Sequence, residues 1–298
     1  MARKLCPDLI IIRPDMEKYR KASELIHQVF QHYTELIEPL SLDEAFLDVS
    51  DCSQYFGSAT RIAEAIRQEV QSSVGITISA GIAPNKFLAK IASDWKKPNG
   101  QFVIRPEQVA AFVATLPVKK LHGVGKVTAA KMKRLGLECC EDLRQLGEEE
   151  LRAHFGSFGE RLYNLSQGID NRAVQTERIR KSLSVENTYA EDLPSLESCL
   201  KALPALETQL LKRMQNLKDS YQIQKQFVKI KFHDFVSTTV EMISSTTDSD
   251  NYRALCELGF ARGNKPVRLL GMGVRLIPLT EILTTENERD QLSLSLDS

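Results

Sequence analysis

Asp43 and Glu44 sit side by side inside the run EPLSLDEAFLDVSD, residues 38–51, among Leu42, Ala45, Phe46 and Leu47. That adjacency limits what the chain can do here. Successive side chains of a strand point to opposite faces, so the two carboxylates can converge only at a hairpin tip or a bulge. Desolvating them among apolar neighbours is costly unless a cation neutralises them. Residues 31–60 carry six acidic groups and no Lys or Arg, so no cation lies nearby in sequence. Hard divalent cations suit such carboxylates, and Mg2+ also takes phosphate oxygens. A solvated turn before a strand is the plainer alternative.

A second stretch has the opposite charge. Residues 81–140 hold eleven basic and three acidic residues, although the formal net charge of the chain is zero. An acidic focus beside a basic belt suits a place where metals and a polyanion meet. Within ITISAGIAPNKFLAKIASDWKKPNGQFVI, residues 76–104, Ile76, Ile78, Ala80 and Ile82 alternate as a strand does. Asn85 then caps a helix with the stripe Phe87, Leu88 and Ile91. KKPNG is a turn, and a strand resumes at Gln101. Lys86, Lys90, Lys96 and Lys97 dot the unit.

The third stretch is LHGVGKVTAAKMKRLGL, residues 121–137. Gly123 and Gly125 flank Val124, and Lys126 opens a helical pattern through Val127, Ala130, Met132 and Leu135. Glycine lets a backbone approach a phosphate closely, and a helix start favours the anion. This is the helix–hairpin–helix pattern, which holds a nucleic-acid backbone without reading bases. The same turn also caps ordinary helices.

Together these stretches resemble the Y-family DNA polymerases, most closely the bacterial DNA polymerase IV type. SLDEAFLDV is similar to the family's second palm acidic motif. SAGIAPNKFLAKIASDWKKPNGQFVI is similar to the palm segment that ends at its triphosphate-contacting lysine, here Lys97. LHGVGK resembles the thumb hairpin. SQGID at 166–170 with RIRKSLSVENTYAEDL at 178–193 resembles the passage into the little finger, and VRLLGMGVRL at 267–276 its closing strand. The resemblance implies template-directed, error-prone translesion synthesis in the bacterial cytoplasm, by a monomer acting on primer–template DNA and deoxynucleoside triphosphates. It implies two Mg2+ ions, with Asp43 and Glu44 as catalytic metal ligands. It also implies DNA contacts at Gly123, Gly125, Lys126, Arg178, Arg180 and Lys181.

The family's opening strand with its first catalytic Asp, its aromatic steric gate and its fingers motif have no counterpart in this sequence. MARKLCPDLIII resembles the end of the fingers, so the expectation is a chain lacking roughly sixty N-terminal family residues, impaired in catalysis. A non-catalytic DNA-binding and clamp-tethering factor is the alternative. A helix–hairpin–helix glycosylase or nuclease explains less, because it leaves the palm and little finger patterns unaccounted for.

The expected architecture is α+β and multi-domain. Residues 1–13 form a fingers remnant, 14–105 a ferredoxin-like palm, 106–170 a helical thumb, 171–181 a basic linker and 182–281 an α/β little finger. Leu9–Ile12 reads as a short buried strand. Helices are expected over 15–36, capped by Asp15, and over 58–73, 195–218 and 248–261. A strand hairpin is expected over 41–49, and strands over 76–82, 101–105, 227–232, 238–243 and 267–276. Residues 282–298 form an acidic tether ending in QLSLSL, similar to the peptide that docks in a sliding clamp through Gln291, Leu292, Leu294 and Leu296.

Other features exclude rather than assign. No stretch approaches the ~20 apolar residues of a membrane helix, and no secretory signal is present. The six cysteines include no C-x-x-C, so zinc and dithiol readings fall away. His122, His154 and His233 are isolated, and Trp95 reads as a packing anchor. Arg262, Lys265, Arg268 and Arg275 have no acid between 261 and 280 and read as a basic strand face toward DNA.

Overall fold

The structure is a computed structural model that describes residues 2–279, apart from 216 and 218. They form two compact units that divide between Glu177 and Arg178. Gln291, Leu292, Leu294 and Leu296 lie outside the described residues.

The first unit begins with a short turn, α1 (Ala2–Leu5), and then α2 (Met16–Gln31), whose N-cap Asp15 accepts from the Lys18 amide at 3.1 Å. The hairpin β1 (Ile37–Pro39) and β2 (Ala45–Leu47) follows. Next come α3 (Ala59–Val74), β3 (Ala80–Ile82), α4 (Lys86–Trp95) and β4 (Gln101–Val103). Two small sheets result, one antiparallel (β1–β2) and one parallel (β3–β4). Helices α2 and α3 face each other through Ile26, Val29, Ile62, Ile66 and Val70. Their amphipathic spacing, every third or fourth residue apolar, is what dictates that stripe.

Helix α4 is shared between two surroundings. Its apolar face, Phe87, Leu88, Ile91 and Ala92, joins a core built with the helices that follow. Those are α5 (Val109–Ala114), α6 (Lys126–Arg134), α7 (Cys140–Leu146), α8 (Glu148–Phe155) and α9 (Ser157–Ser166). Strand β3 lies so close on α4 that a Cβ on Gly81 would stand 2.0 Å from the Ala89 carbonyl oxygen. Only glycine permits that approach. Trp95 packs on Phe102 and Phe112, with ring centroids 5.8 and 5.0 Å away, so the packing reading holds.

The second unit is a four-stranded antiparallel sheet in the order β5-β8-β6-β7, made of β5 (Ser182–Leu193), β6 (Tyr221–Phe232), β7 (Ser237–Ile243) and β8 (Val267–Pro278). Helices α10 (Leu196–Met214) and α11 (Ser249–Ala261) cover one face and bury Leu206, Leu210, Tyr252 and Leu255 against Ile230, Met272 and Val274.

Several expectations change. Leu9–Ile12 is not a buried strand: Ile10 is 84 % and Ile12 83 % exposed, and no strand pairs with them. An isolated extended segment leaves its backbone groups unbonded, so apolar content alone does not make it a strand. The expected strand 76–82 shortens to Ala80–Ile82, because only those residues find partners, in Gln101–Val103. Residues 76–79 are held from α3 instead, where Arg67 Nε donates to the Ile78 carbonyl at 3.2 Å. Strand β5 falls at the start of the span 182–281 and is absent from the expected strands, although Leu183 and Val185 alternate inward with Ser184 and Glu186 outward.

Candidate active site

The β1–β2 register, Glu38 opposite Phe46 and Pro39 opposite Ala45, leaves residues 40–44 as the hairpin tip. The Leu40 and Ser41 amides both donate to the Glu44 carbonyl, at 2.9 and 3.3 Å. The tight tip frees Asp43 and Glu44 from the two-face rule. Both line one cavity of about 950 Å³, together with Lys97. Its apolar floor includes Ile26, Ile62 and Ile66, and its walls are the unpaired sides of the two small sheets. Asp43 Oδ1 accepts from the Ser41 hydroxyl at 2.6 Å. Asp48 also lines the cavity, but its Oδ1 is taken by the Ser50 hydroxyl and amide at 2.6 and 3.0 Å, which hold its carboxyl below the ordinary range.

The cation that lies far off in sequence is brought in by α4. Asn85 caps it by accepting from the Leu88 amide at 3.0 Å. Lys86 and Lys90, four residues apart, then share a helix face opposite the apolar one. Lys86 Nζ meets Glu38 at 2.6 Å, and Lys90 Nζ meets Glu44 at 2.5 Å. Sequence reasoning had counted these lysines without assigning them. The signal was present in the i, i+4 spacing set against Glu38 and Glu44. Lys97 pairs with Asp94 at 2.7 Å. That hydrogen bond raises the Lys97 pKa most, burial opposes it, and Glu44 and Asp43 add to the rise.

Residues 168–175 are strapped onto this arrangement. Asp170 accepts from the Phe87 amide at 3.0 Å and holds Arg172 by two bonds of 2.6 and 2.8 Å. Lys86 Nζ also donates to the Ala173 carbonyl at 2.7 Å, and the Gln175 amide donates to Glu38 at 2.8 Å. Burial pushes Glu38 upward, but Lys86 and the Gln175 amide outweigh it and its carboxyl sits below the ordinary range. The first half of the expected linker 171–181 is therefore anchored to the first unit.

For a metal ion, the chemistry of the donors decides. Asp43 and Glu44 offer the hard carboxylate oxygens that Mg2+ takes, and Asp43 has no ion-pair partner among the described residues. No group of three or more His, Cys, Asp or Glu gathers among the described residues. The carboxylates fit a divalent cation in kind and supply two ligands.

The other called residues are placed as follows. Gly123 has φ +97 in the turn before α6, and a Cβ there would stand 3.0 Å from the Phe158 ring. Gly125 caps α6 with open space beside it, and Lys126 is its exposed first residue. Of the stripe expected on α6, Met132 is buried while Val127 is 83 % exposed. In the second unit Arg178, Arg180 and Lys181 are exposed. The basic cluster at 262–275 is not a free face. Lys265 pairs with Asp234 at 2.7 Å, Arg275 with Glu241 at 3.2 Å and Arg268 with Asp192 at 3.8 Å, while Arg262 donates to Thr238 at 2.9 Å. The acids come from elsewhere in the unit, which a local charge count cannot register.

Comparisons with known proteins show the family. The impB/mucB/samB family matches residues 1–94, its C-terminal domain residues 180–294, and a thumb domain described from DNA polymerase-iota residues 119–170. The chain is 61% identical over 275 residues to DNA polymerase IV of Pseudomonas putida (strain GB-1), covering 92% of this chain and 78% of that protein. It is 60% identical over 280 residues to DNA polymerase IV of Pseudomonas syringae pv. tomato, covering 94% and 79%. A solved Y-family DNA polymerase chimera of Dbh and Dpo4 superposes with a TM-score of 0.81 at 26% identity, covering 92% of this chain and 80% of that one. The chain belongs to the Y-family DNA polymerases, on the bacterial DNA polymerase IV branch. With the family goes its class of activity, DNA-directed DNA polymerase of the translesion type, a nucleotidyltransferase.

Proposed function

We propose that the cavity bounded by Asp43, Glu44 and Lys97 is where a nucleotide is joined to a primer strand. The observation that carries this is the convergence of both carboxylates and Lys97 on one cavity of about 950 Å³. Asp43 and Glu44 would hold Mg2+, two ions in the family's scheme. Bound there, Mg2+ supplies charge neutralisation for a triphosphate and a more acidic primer 3′-hydroxyl. Lys97 counters charge that grows on the triphosphate. Asp94 keeps Lys97 protonated and tethered until a triphosphate competes for it.

DNA and nucleotide partners are supported by relatives that are DNA polymerases by name and by a solved Dbh ternary complex at 25% identity and a TM-score of 0.61. On this chain we assign the primer–template backbone to Gly123, Gly125 and Lys126 and to Arg178, Arg180 and Lys181. Residues 14–105 serve as palm, 106–170 as thumb and 182–281 as little finger, with 1–13 at the edge of the fingers. The clamp assignment of Gln291, Leu292, Leu294 and Leu296 rests on their sequence pattern. A monomer working in the bacterial cytoplasm is part of the same reading; of the described helices none is long and apolar enough to cross a membrane. The alternative of a non-catalytic tether is not favoured by relatives that are polymerases by name.

Primer extension with Mg2+ tests the reading. The described residues bring two carboxylates, one fewer than the family's set, so the 298-residue chain should extend slowly. A chimera carrying the N-terminal portion of the Pseudomonas putida relative should extend faster, and Asp43→Asn should cost that chimera ~10²–10³ in rate. Full activity in the Asp43→Asn chimera would remove the assignment. Equal rates for the short chain and the chimera would hand the third ligand to another acid, such as Asp48.

A further inference from the structure

Arg161 on α9 has a guanidinium nitrogen, Nη2, that is shut off from solvent and meets no acceptor, the only buried side-chain polar atom in that state among the described residues. A guanidinium stays charged in any protein setting, and burying part of one unpaired is expensive. Such a group calls for an explanation, and a missing ion is one.

A cavity of about 450 Å³ opens beside it, lined among others by Ser157, Glu160, Asn164, Asp170 and Arg172. Its two acids are engaged elsewhere. Glu160 Oε2 accepts from Arg152 at 2.8 Å. Asp170 is spent on Arg172 and on the Phe87 amide. Ser157 opens α9, so the positive end of that helix lies at the same wall. What remains is one unanswered cation, an amide and a hydroxyl.

We propose that this cavity is an oxyanion subsite that takes a phosphate group, with Arg161 as its anchor. A guanidinium fork matches two phosphate oxygens at once. Asn164 lines the cavity and adds a donor, while Arg172 stays paired with Asp170. The phosphate can be a DNA phosphodiester or free inorganic phosphate. The cavity shares Asp170, Asn171 and Arg172 with the lining of the Asp43–Glu44 cavity, but Arg161 lines this one alone, and its phosphate chemistry does not depend on the polymerase reading.

Two measurements on the full 298-residue chain decide. In the first, melting is compared in inorganic phosphate and in chloride at equal pH and ionic strength. Phosphate should raise the midpoint by about 2 °C, Arg161→Lys should keep part of the rise, and Arg161→Gln should lose it. In chloride, Arg161→Gln should melt no lower than the parent, because it removes an unpaired charge. In the second, affinity for duplex DNA is followed against salt. A slope smaller by ~0.9 in Arg161→Gln assigns the site to a DNA phosphate. An unchanged slope with the melting effect lost assigns it to the free ion. No preference for phosphate over chloride together with an unchanged slope would overturn the proposal. So would an Arg161→Gln chain that melts lower in chloride, since the guanidinium would then be structural.

Discussion

The two units are held together by different means. In the second, three strands of twelve residues and one of seven form a continuous ladder, with one core beneath it. In the first, the strands around the candidate site are three residues long and sit in two separate pairs. Between those pairs lies a large cavity; Lys90 of α4 holds Glu44 at its rim, and Lys86 holds Glu38 on β1. Backbone ladders fix a surface whether or not a ligand is present. Ion pairs fix it only until a competing charge arrives. A site that must exchange a triphosphate suits the second arrangement.

The largest expected difference is in the cores. Leu206 of α10 is fully buried in the second unit, so Leu206→Ala should cost ~3–4 kcal/mol. Ile62 of α3 is equally hidden, 1 % exposed, but it borders the cavity. Ile62→Ala therefore loses fewer contacts and should cost ~1–2 kcal/mol. Chemical denaturation of both variants measures this, and equal costs would mean the cavity closes in solution.

Next come the ion pairs. Lys86 and Glu38 have side chains 8 % and 19 % exposed, and Lys86→Met leaves a carboxylate half-stranded at a cost of about 3 kcal/mol. On the sheet of the second unit, Lys225 and Glu241 are 35 % and 34 % exposed, and Lys225→Met should cost under ~1 kcal/mol. Similar losses in the two denaturation curves would break the contrast.

What the sequence revealed follows the same line. Local chemistry was legible: the caps Asp15 and Asn85, the hairpin tip at Asp43–Glu44, and the Gly123 turn all depend on neighbours a few residues away. The two helices of the second unit were legible because each has its own period. Pairings across long separations were not. Lys90 with Glu44 spans 46 residues, and Gln175 with Glu38 spans 137. Arg268 and Arg275 looked free because their acids belong to other strands. Leu9–Ile12 had the composition of a strand and lacked a partner.

Acid should separate the units by a smaller margin. Five carboxyls of the first unit are held below their ordinary values, among them Asp142, lowered by the Cys139 and Glu138 amides. Glu38 and Asp170 are pushed up by burial but pulled further down by Lys86 and Arg172, Asp94 is lowered by Lys97, and Asp48 by Ser50. In the second unit the lowered carboxyls, Glu241 and Asp234, sit at the surface beside Lys225 and Lys265, where solvent screens the gain. A carboxyl whose folded value is depressed stabilises the fold above its unfolded value and loses that contribution as pH falls through the folded one. For Glu38 the loss begins below its ordinary value of 4.5. Trp95 is the single tryptophan and lies in the first unit, so its fluorescence reports that unit alone. Its acid transition should come at higher pH than the loss of strand signal by circular dichroism. Glu38→Gln should lower stability at neutral pH and leave it unchanged near the acid end, which flattens the fluorescence profile. Coincident transitions, or a Glu38→Gln profile merely shifted in parallel, would show that the hairpin's hold on α4 does not run through the Glu38 charge.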